Sequence, residues 1–503
     1  MQKEIELSIP LLLIAVFVGF VNGLQLSDIN RYDLSYYYLY KVHDAIQNSS
    51  DTFFFSYPVL TDKLENPFVE LTHEDQKLGV SASALPGYEQ SDDQFNRFMA
   101  ILGQAAYTSK YLDAHVLADV YSTENRINSE LMDIQFERFI KKDGEKPITG
   151  AFDFRFNLPE AYLTLHLKHL DLSIGKMKMR WGPGYKGTLG MSGTSYSPTY
   201  FYNTRLSLGK LLNLSAFLCG YDDESIYENE LRSNDSLIIV STGRKIKNYL
   251  PRYGAGQRID LRIGKHFQIG IYELVDFFGS SDLCRFVNPL QLYYLGNGSS
   301  GTNNANLLGG IDFNYIINKF RIYGEFLNDD ITIFEDAGNP NKYAFQTGIT
   351  FYGRKKLLET GVEYTHVAKY VYGHSRVLSR HSIWDESLGW PWGNDQDLFN
   401  VHAILNLMVN LNCKVELNYW KKGAGKLTDE WYADKEPDLD HAPYWPQNCR
   451  NISTVLFGVE YLPFPWSDLN FFYELGYENH SFSNSINMYL KVDLPNKFNI
   501  SIK

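Results

Sequence analysis

The sequence predicts an all-β fold, a transmembrane antiparallel β-barrel of about 16 to 18 strands. Three observations carry that expectation. Apolar and polar residues alternate with a period of two along much of the chain, which is the pattern of half-buried strands. The connections between those strands alternate short and long, as periplasmic turns and external loops do in outer-membrane barrels. No segment after the leader is apolar enough for a membrane helix, and a closed barrel is the one other structure that satisfies its backbone in lipid.

The chain begins with a leader. Residues Ile9–Val21 form its one long apolar run, too short to span a bilayer as a helix and suited to a signal-peptide core. Val21-Asn22-Gly23 supplies small residues for cleavage, so residues 1–23 are read as a signal peptide. Residues 24–75 differ from the rest: Asn30–Ile46 mixes a tyrosine run with a possible short helix, and Pro58 and Pro67 interrupt the irregular stretch Thr52–Leu71. They are expected to form a small, partly helical periplasmic region ahead of a barrel spanning 76–503.

The strand pattern then recurs. In Ala161–Lys168, Leu163, Leu165 and Leu167 oppose Tyr162, Thr164, His166 and Lys168. Ile259, Leu261 and Ile263 oppose Arg258, Asp260 and Arg262, and Ile311, Phe313 and Tyr315 oppose Asp312 and Asn314. Leu411–Trp420 and Leu469–Glu478 repeat the scheme. Apolar faces end in aromatics such as Tyr315, Phe320, Phe351, Tyr419 and Tyr477, as girdles at the lipid interfaces do. Short turns sit near 170–171, 209–210, 264–265, 318–319, 353–356, 409–410 and 463–466. Long linkers cover 181–202, 222–256, 276–306, 329–342, 371–397 and 422–451.

Composition agrees. Aromatics make up 15% of 503 residues, including 36 Tyr and 32 Phe. Apolar residues reach 44% although mean hydropathy is −0.29, which requires fine interleaving. A net charge of −12 argues against nucleic acid as a partner. The four cysteines, Cys219, Cys284, Cys413 and Cys449, are far apart without zinc spacing; Cys284 and Cys449 are candidates to pair. No metal site or cofactor is expected. There is no Gly-x-Ser-x-Gly elbow, and His166, His266 and His366 have no recognisable serine partner, so the chain is not expected to be an enzyme.

Met179–Gly193 interrupts the alternation. Gly182, Gly184, Gly187, Gly190 and Gly193 free its backbone, Pro183 stiffens one turn, and Arg180, Trp181, Tyr185 and Lys186 ride on it. The expectation is a tight turn whose Trp181 wedges inside the barrel. The inward polar face mixes both signs, for example Arg258, Asp260, Asp312, Glu325, Glu363, Lys414 and Glu416. Such a lumen can be an open pore or can hydrogen-bond a plug. The long loops rich in Gly, Asn and Trp favour partial filling.

The order of motifs resembles the Wzi-type capsule-assembly family of outer-membrane proteins. Arg180-Trp181-Gly182-Pro183-Gly184 is followed by Gly187-Thr188-Leu189-Gly190-Met191-Ser192, then Gln257-Arg258-Ile259, Asn288-Pro289-Leu290 and Gly310-Ile311-Asp312-Phe313. Tyr323-Gly324-Glu325-Phe326 and Asn328-Asp329-Asp330 come next. The resemblance covers about residues 75–480. It implies an 18-stranded barrel, a helical N-terminal portion, a lumen blocked by loops, and a lectin role in holding capsular polysaccharide.

Sugar-binding surfaces pair aromatic faces with hydrogen-bonding and cationic groups. Trp384, Trp390 and Trp392 lie in one long loop, and Trp431, Tyr432 and Trp445 in another. These six, with Arg180 and Lys186 as second choices, are the candidate polysaccharide contacts; the alternative is that the tryptophans pack the loops together. Glu325, Asp329 and Asp330 resemble paired glycosidase carboxylates, but a salt-bridged contact with a plug is expected instead. Asn394–Asp397 is read as a solvated turn rather than a calcium loop. The expected function is an outer-membrane lectin-like barrel, monomeric and set in outer-membrane lipid. It would anchor or help assemble surface polysaccharide; a channel for small anions or oligosaccharides is the alternative.

Overall fold

The computed structural model describes residues 69–73, 76–91, 94–123, 153–193, 198–221, 251–293, 305–330, 342–353, 358–374, 377–383, 386–408, 411–427, 429, 449–464, 467–478, 481–493 and 498–501. The expected signal peptide and most of the expected 24–75 region lie outside them.

The strands are β1 (Val69–His73), β2 (Gln76–Ser91), β3 (Gln94–Thr108), β4 (Leu112–Thr123), β5 (Asp153–His166) and β6 (Leu170–Lys176). Then come β7 (Thr199–Leu208), β8 (Leu212–Gly220), β9 (Arg252–Ile263), β10 (Phe267–Phe278) and a helix, α1 (Ser280–Phe286). Next are β11 (Ala305–Ile317), β12 (Phe320–Asp330), β13 (Lys342–Tyr352), β14 (Leu358–Val367) and the two-residue β15 (Ser382–Ile383) and β16 (Glu386–Ser387). Last are β17 (Gln396–Met408), β18 (Leu411–Lys422), β19 (Arg450–Phe464), β20 (Ser467–Glu478), β21 (Ser481–Asp493) and β22 (Phe498–Ser501).

Each strand from β2 to β14 pairs antiparallel with the next. β14 joins β17 directly, and the series continues to β21. β21 then pairs with β2, from Ser83 opposite Asp493 to Ser91 opposite Ser485. Thirteen strands and then five more therefore close one hydrogen-bonded ring of eighteen. β1 extends the seam, antiparallel to β2 and parallel to β22, so Val69–His73, within the segment expected to form the N-terminal region, already belongs to the sheet.

The rhythm of connections matches the sequence pattern through the middle of the chain and fails beside the seam. On the long-loop side, β2–β3 and β20–β21 are joined by only two residues each.

The sidedness is that of a membrane barrel. Along β9, Ile259 and Ile263 are half exposed, at 51% and 54%, whereas Arg258 and Asp260 are buried, at 1% and 0%. Leu163 and Leu165 on β5 are exposed while Thr164 between them is buried. Apolar side chains outside and charges inside invert the soluble arrangement, and lipid is the medium that rewards it. The protein's main apolar cluster lies in the lumen, around Met179, Trp181, Leu189 and Met191.

Candidate functional site

Among the described residues two segments fold into the lumen, and the wall holds them through buried carboxylates. The first is the loop between β6 and β7. Trp181 and Met191 form an isolated antiparallel bridge, with the Trp181 N–H donating to the Met191 carbonyl at 2.7 Å. The Thr188 hydroxyl donates to the same carbonyl at 2.6 Å. The Trp181 ring is buried, edge-on to Phe217 at 5.2 Å and near Tyr272. It wedges inside the barrel as expected.

Three wall glutamates receive this loop. Glu325 on β12 accepts the Leu189 and Gly190 N–H groups at 2.9 and 3.1 Å and the Tyr272 hydroxyl at 2.7 Å. Glu363 on β14 accepts the Tyr185 and Lys186 N–H groups at 2.5 and 3.0 Å, plus the Tyr323 hydroxyl at 2.8 Å. Glu416 on β18 accepts the Tyr185 hydroxyl and the Lys186 ammonium, both at 2.7 Å, and is paired with Lys414 at 2.7 Å. An ionised carboxylate tolerates burial when donors replace its water, and each of these has three. The Tyr185 ring stacks on His402 at 3.6 Å. Burial first, then the Glu416 charge, pushes the Tyr185 hydroxyl well above its ordinary range, so it remains a donor.

The glycines serve two purposes. Gly182 and Gly193 adopt positive φ, 123° and 68°. Gly184, Gly187 and Gly190 do not; they are small because neighbours crowd them, wall side chains at Gly184 and Gly190 and the second infolded segment at Gly187. A Cβ at Gly187 would lie 2.4 Å from Cδ of Pro391, and one at Gly190 2.8 Å from the Tyr272 ring.

The second segment, between β14 and β17, lies against the first. The Tyr372 N–H donates to Asp329 at 2.7 Å, and the Tyr372 hydroxyl donates to the Leu189 carbonyl at 2.8 Å. The Ser192 N–H donates to the Leu388 carbonyl at 2.8 Å. Arg252 on β9 donates to the carbonyls of Leu378, Arg380 and Ser382 at 2.7–3.0 Å. His381 places Nδ1 2.7 Å from Asp276 and Nε2 2.9 Å from the Gly190 carbonyl, so two acceptors face one ring. Burial alone would depress this imidazole; the Asp276 charge and hydrogen bond outweigh it and hold the ring above its ordinary value.

The candidate sugar contacts fare differently. Trp384, Trp431, Tyr432 and Trp445 lie outside the described residues. Trp390 is fully buried, beside Trp392 at 5.0 Å. Trp392 is partly exposed, with the Lys186 ammonium 5.3 Å from its ring centre. The structure therefore brings Lys186, Trp390 and Trp392 together. Arg180 is buried and donates to the Gly184 carbonyl. Glu325 and Asp329 do contact the infolded loops, accepting the backbone N–H groups of Leu189, Gly190 and Tyr372. Asp395 accepts the Gly425 N–H at 2.7 Å, and Asp397 bonds His366 at 2.8 Å and Tyr364 at 2.7 Å, so this stretch is spent on internal bonds instead of standing as a solvated turn. All four cysteines, including Cys284 and Cys449, are free thiols.

The family model for capsule assembly protein Wzi matches residues 97–484. The chain belongs to the Wzi capsule-assembly family. Among solved structures, it is similar to Wzi of Escherichia coli, described as an outer membrane protein involved in group 1 capsule assembly and a carbohydrate-binding β-barrel. Identity is 15% over 83% of this chain and 85% of that one, with a TM-score of 0.52, a likeness of fold. Pseudomonas aeruginosa OccD3 matches with 8% identity over 87% of this chain and 95% of that one, at a TM-score of 0.48. The OprD structure from the same organism gives 12% over 86% and 99%, at 0.44. Sequence comparison with curated proteins finds no match.

Proposed function

We propose that this Wzi-family barrel sits in the outer membrane and holds or helps assemble polysaccharide at the cell surface by binding it, without catalysis and without conducting it through the lumen. One observation carries the reading: the interior is occupied by the protein's own loops, clamped at Glu325, Glu363 and Glu416 and packed around Trp181 and Trp390. A lumen filled in this way leaves recognition to the outer rim. There Trp392 remains partly exposed, an aromatic face suited to stacking on a sugar ring. Trp384 shares the linker 371–397 with Trp392, and Trp431, Tyr432 and Trp445 lie in the linker 422–451. The carbohydrate binding described for the Escherichia coli relative supports this reading.

Two measurements test it. The purified barrel in a planar bilayer should conduct little; porin-like conductance would sink the closed-lumen reading. Deletion of the gene should release surface polysaccharide into the medium, and unchanged retention would remove the anchoring role.

A further inference from the structure

On the outer wall of β9 and β10 the lipid-facing pattern breaks. Arg258, Tyr272 and Asp276 point inward, so Gln257, Ile259, Ile271, Glu273, Val275 and Phe277 point outward. Ile259 and Ile271 are about half exposed, as lipid-facing residues are. Toward the long-loop end, Val275 and Phe277 are completely buried although they lie on the same outer face.

They are covered by Gly279–Tyr293, which folds back down the outside of the barrel. Phe286 of α1 packs on Phe277 with ring centres 4.8 Å apart, and Tyr293 meets Phe286 edge-on at 5.7 Å. The outward polar pair explains how the segment is pinned. Gln257 and Glu273 stand opposite each other. Gln257 Nε2 donates to Glu273 at 2.9 Å and to the Gln291 carbonyl at 2.8 Å, and the Tyr293 N–H donates to Glu273 at 3.0 Å. The Tyr202 hydroxyl donates to the Val287 carbonyl at 2.8 Å. Two polar groups that lipid would penalise are thus satisfied by the segment's own backbone.

The other side of the segment exposes apolar side chains. Leu290 is 87% exposed and Leu292 56%, with Val287 beside them. The Asn288 side chain accepts the Leu290 N–H at 3.0 Å, a local turn that throws Leu290 outward. This face runs straight into the exposed apolar band: Glu273, which holds Tyr293, is two residues from Ile271 on the same face of β10. We propose that Gly279–Tyr293 is an external flap whose Val287, Leu290 and Leu292 insert among the acyl chains of the membrane leaflet on the long-loop side. The flap widens the barrel's lipid contact on one flank. Continuity with the lipid-facing band assigns acyl chains, rather than water or a second copy of the chain, as the occupant.

The test uses the full chain in liposomes at a low protein-to-lipid ratio. Nitroxide is attached at Leu290→Cys, Leu292→Cys and, as a reference within the band, Ile271→Cys, each in a cysteine-free background whose barrel is checked by heat-modifiable gel mobility. Collision with oxygen, which concentrates in acyl chains, and with a water-soluble nickel chelate is read by power saturation. Labels at 290 and 292 should resemble the 271 reference, open to oxygen and shielded from nickel. Ready access of nickel would place the flap in water and overturn the proposal. Shielding from both reagents would place it against protein and overturn it equally.

Discussion

The backbone N–H of Tyr185 meets the wall carboxylate of Glu363 at 2.5 Å, across 178 residues of sequence. This contact joins the tip of the inner loop to β14. A hydrogen bond to a charged group contributes about 1.5–3 kcal/mol, and leaving buried donors unmatched costs more than the bond gains. Glu363→Ala should therefore loosen the loop more than it unfolds the ring. The expected result is intermittent conductance in planar bilayers where the parent shows little. A variant as silent as the parent would mean the loop is held without this clamp.

Glu416 lies between two ammonium groups, Lys186 and Lys414. Removing one partner of a buried charge network typically costs about 3–5 kcal/mol, because the other charges are left unbalanced. Glu416→Gln should lower the unfolding midpoint strongly, and adding Lys186→Met should restore part of the loss. Chemical denaturation of the two variants and of Lys186→Met closes the cycle; simple additivity would show that Lys186 and Glu416 act independently.

His381 provides a pH signature. Its folded value is raised, so its contribution is complete below the ordinary imidazole value of 6.5 and fades as pH rises through the folded one. Burial pulls it down, and the Asp276 charge and hydrogen bond, the Gly190 carbonyl and the Asp329 charge together raise it. Thermal unfolding should show a loss of stability toward alkaline pH that His381→Gln abolishes. An unchanged profile in the variant would assign the slope to other groups.

The tryptophans separate into two roles. Trp390→Ala should cost about 3–5 kcal/mol of stability, as truncating a fully buried large aromatic does. Trp392 is half-buried against Trp390 and Trp420, so Trp392→Ala should lower the midpoint less than Trp390→Ala and weaken binding to immobilised acidic polysaccharide. Equal binding by parent and Trp392→Ala would move recognition to Trp384, Trp431, Tyr432 or Trp445, whose alanine variants are put through the same assay.

Much of this architecture is legible in the linear pattern, because a lipid-facing strand must repeat every two residues and a hairpin must end in a turn. Ile259, Leu261 and Ile263 fall on one face by spacing alone. Closure of β21 onto β2 does not, since no local signal links Ser91 to Ser485. The wall clamps are equally hidden: a lumenal glutamate such as Glu325 has the same local sequence whether it meets water, an ion or the N–H of Leu189. By sequence the five glycines of the loop look like one kind of freedom, whereas the fold uses positive φ at Gly182 and bare proximity at Gly187. The flap leaves one trace in the strand pattern. Gln257 and Glu273 are polar residues on outward strand faces, and such a pair signals that protein, rather than lipid, lies over that patch.

The carboxylate clamps have a mechanical consequence. The inner loop ties β12, β14 and β18 to β6 and β7 through the middle of the ring, as a strut ties the rim of a wheel. A polymer coat dragged by flow pulls sideways on whatever grips it. An empty cylinder would flatten under that load, shearing its strand pairs out of register. A cross-tied one carries the force between opposite walls and stays round.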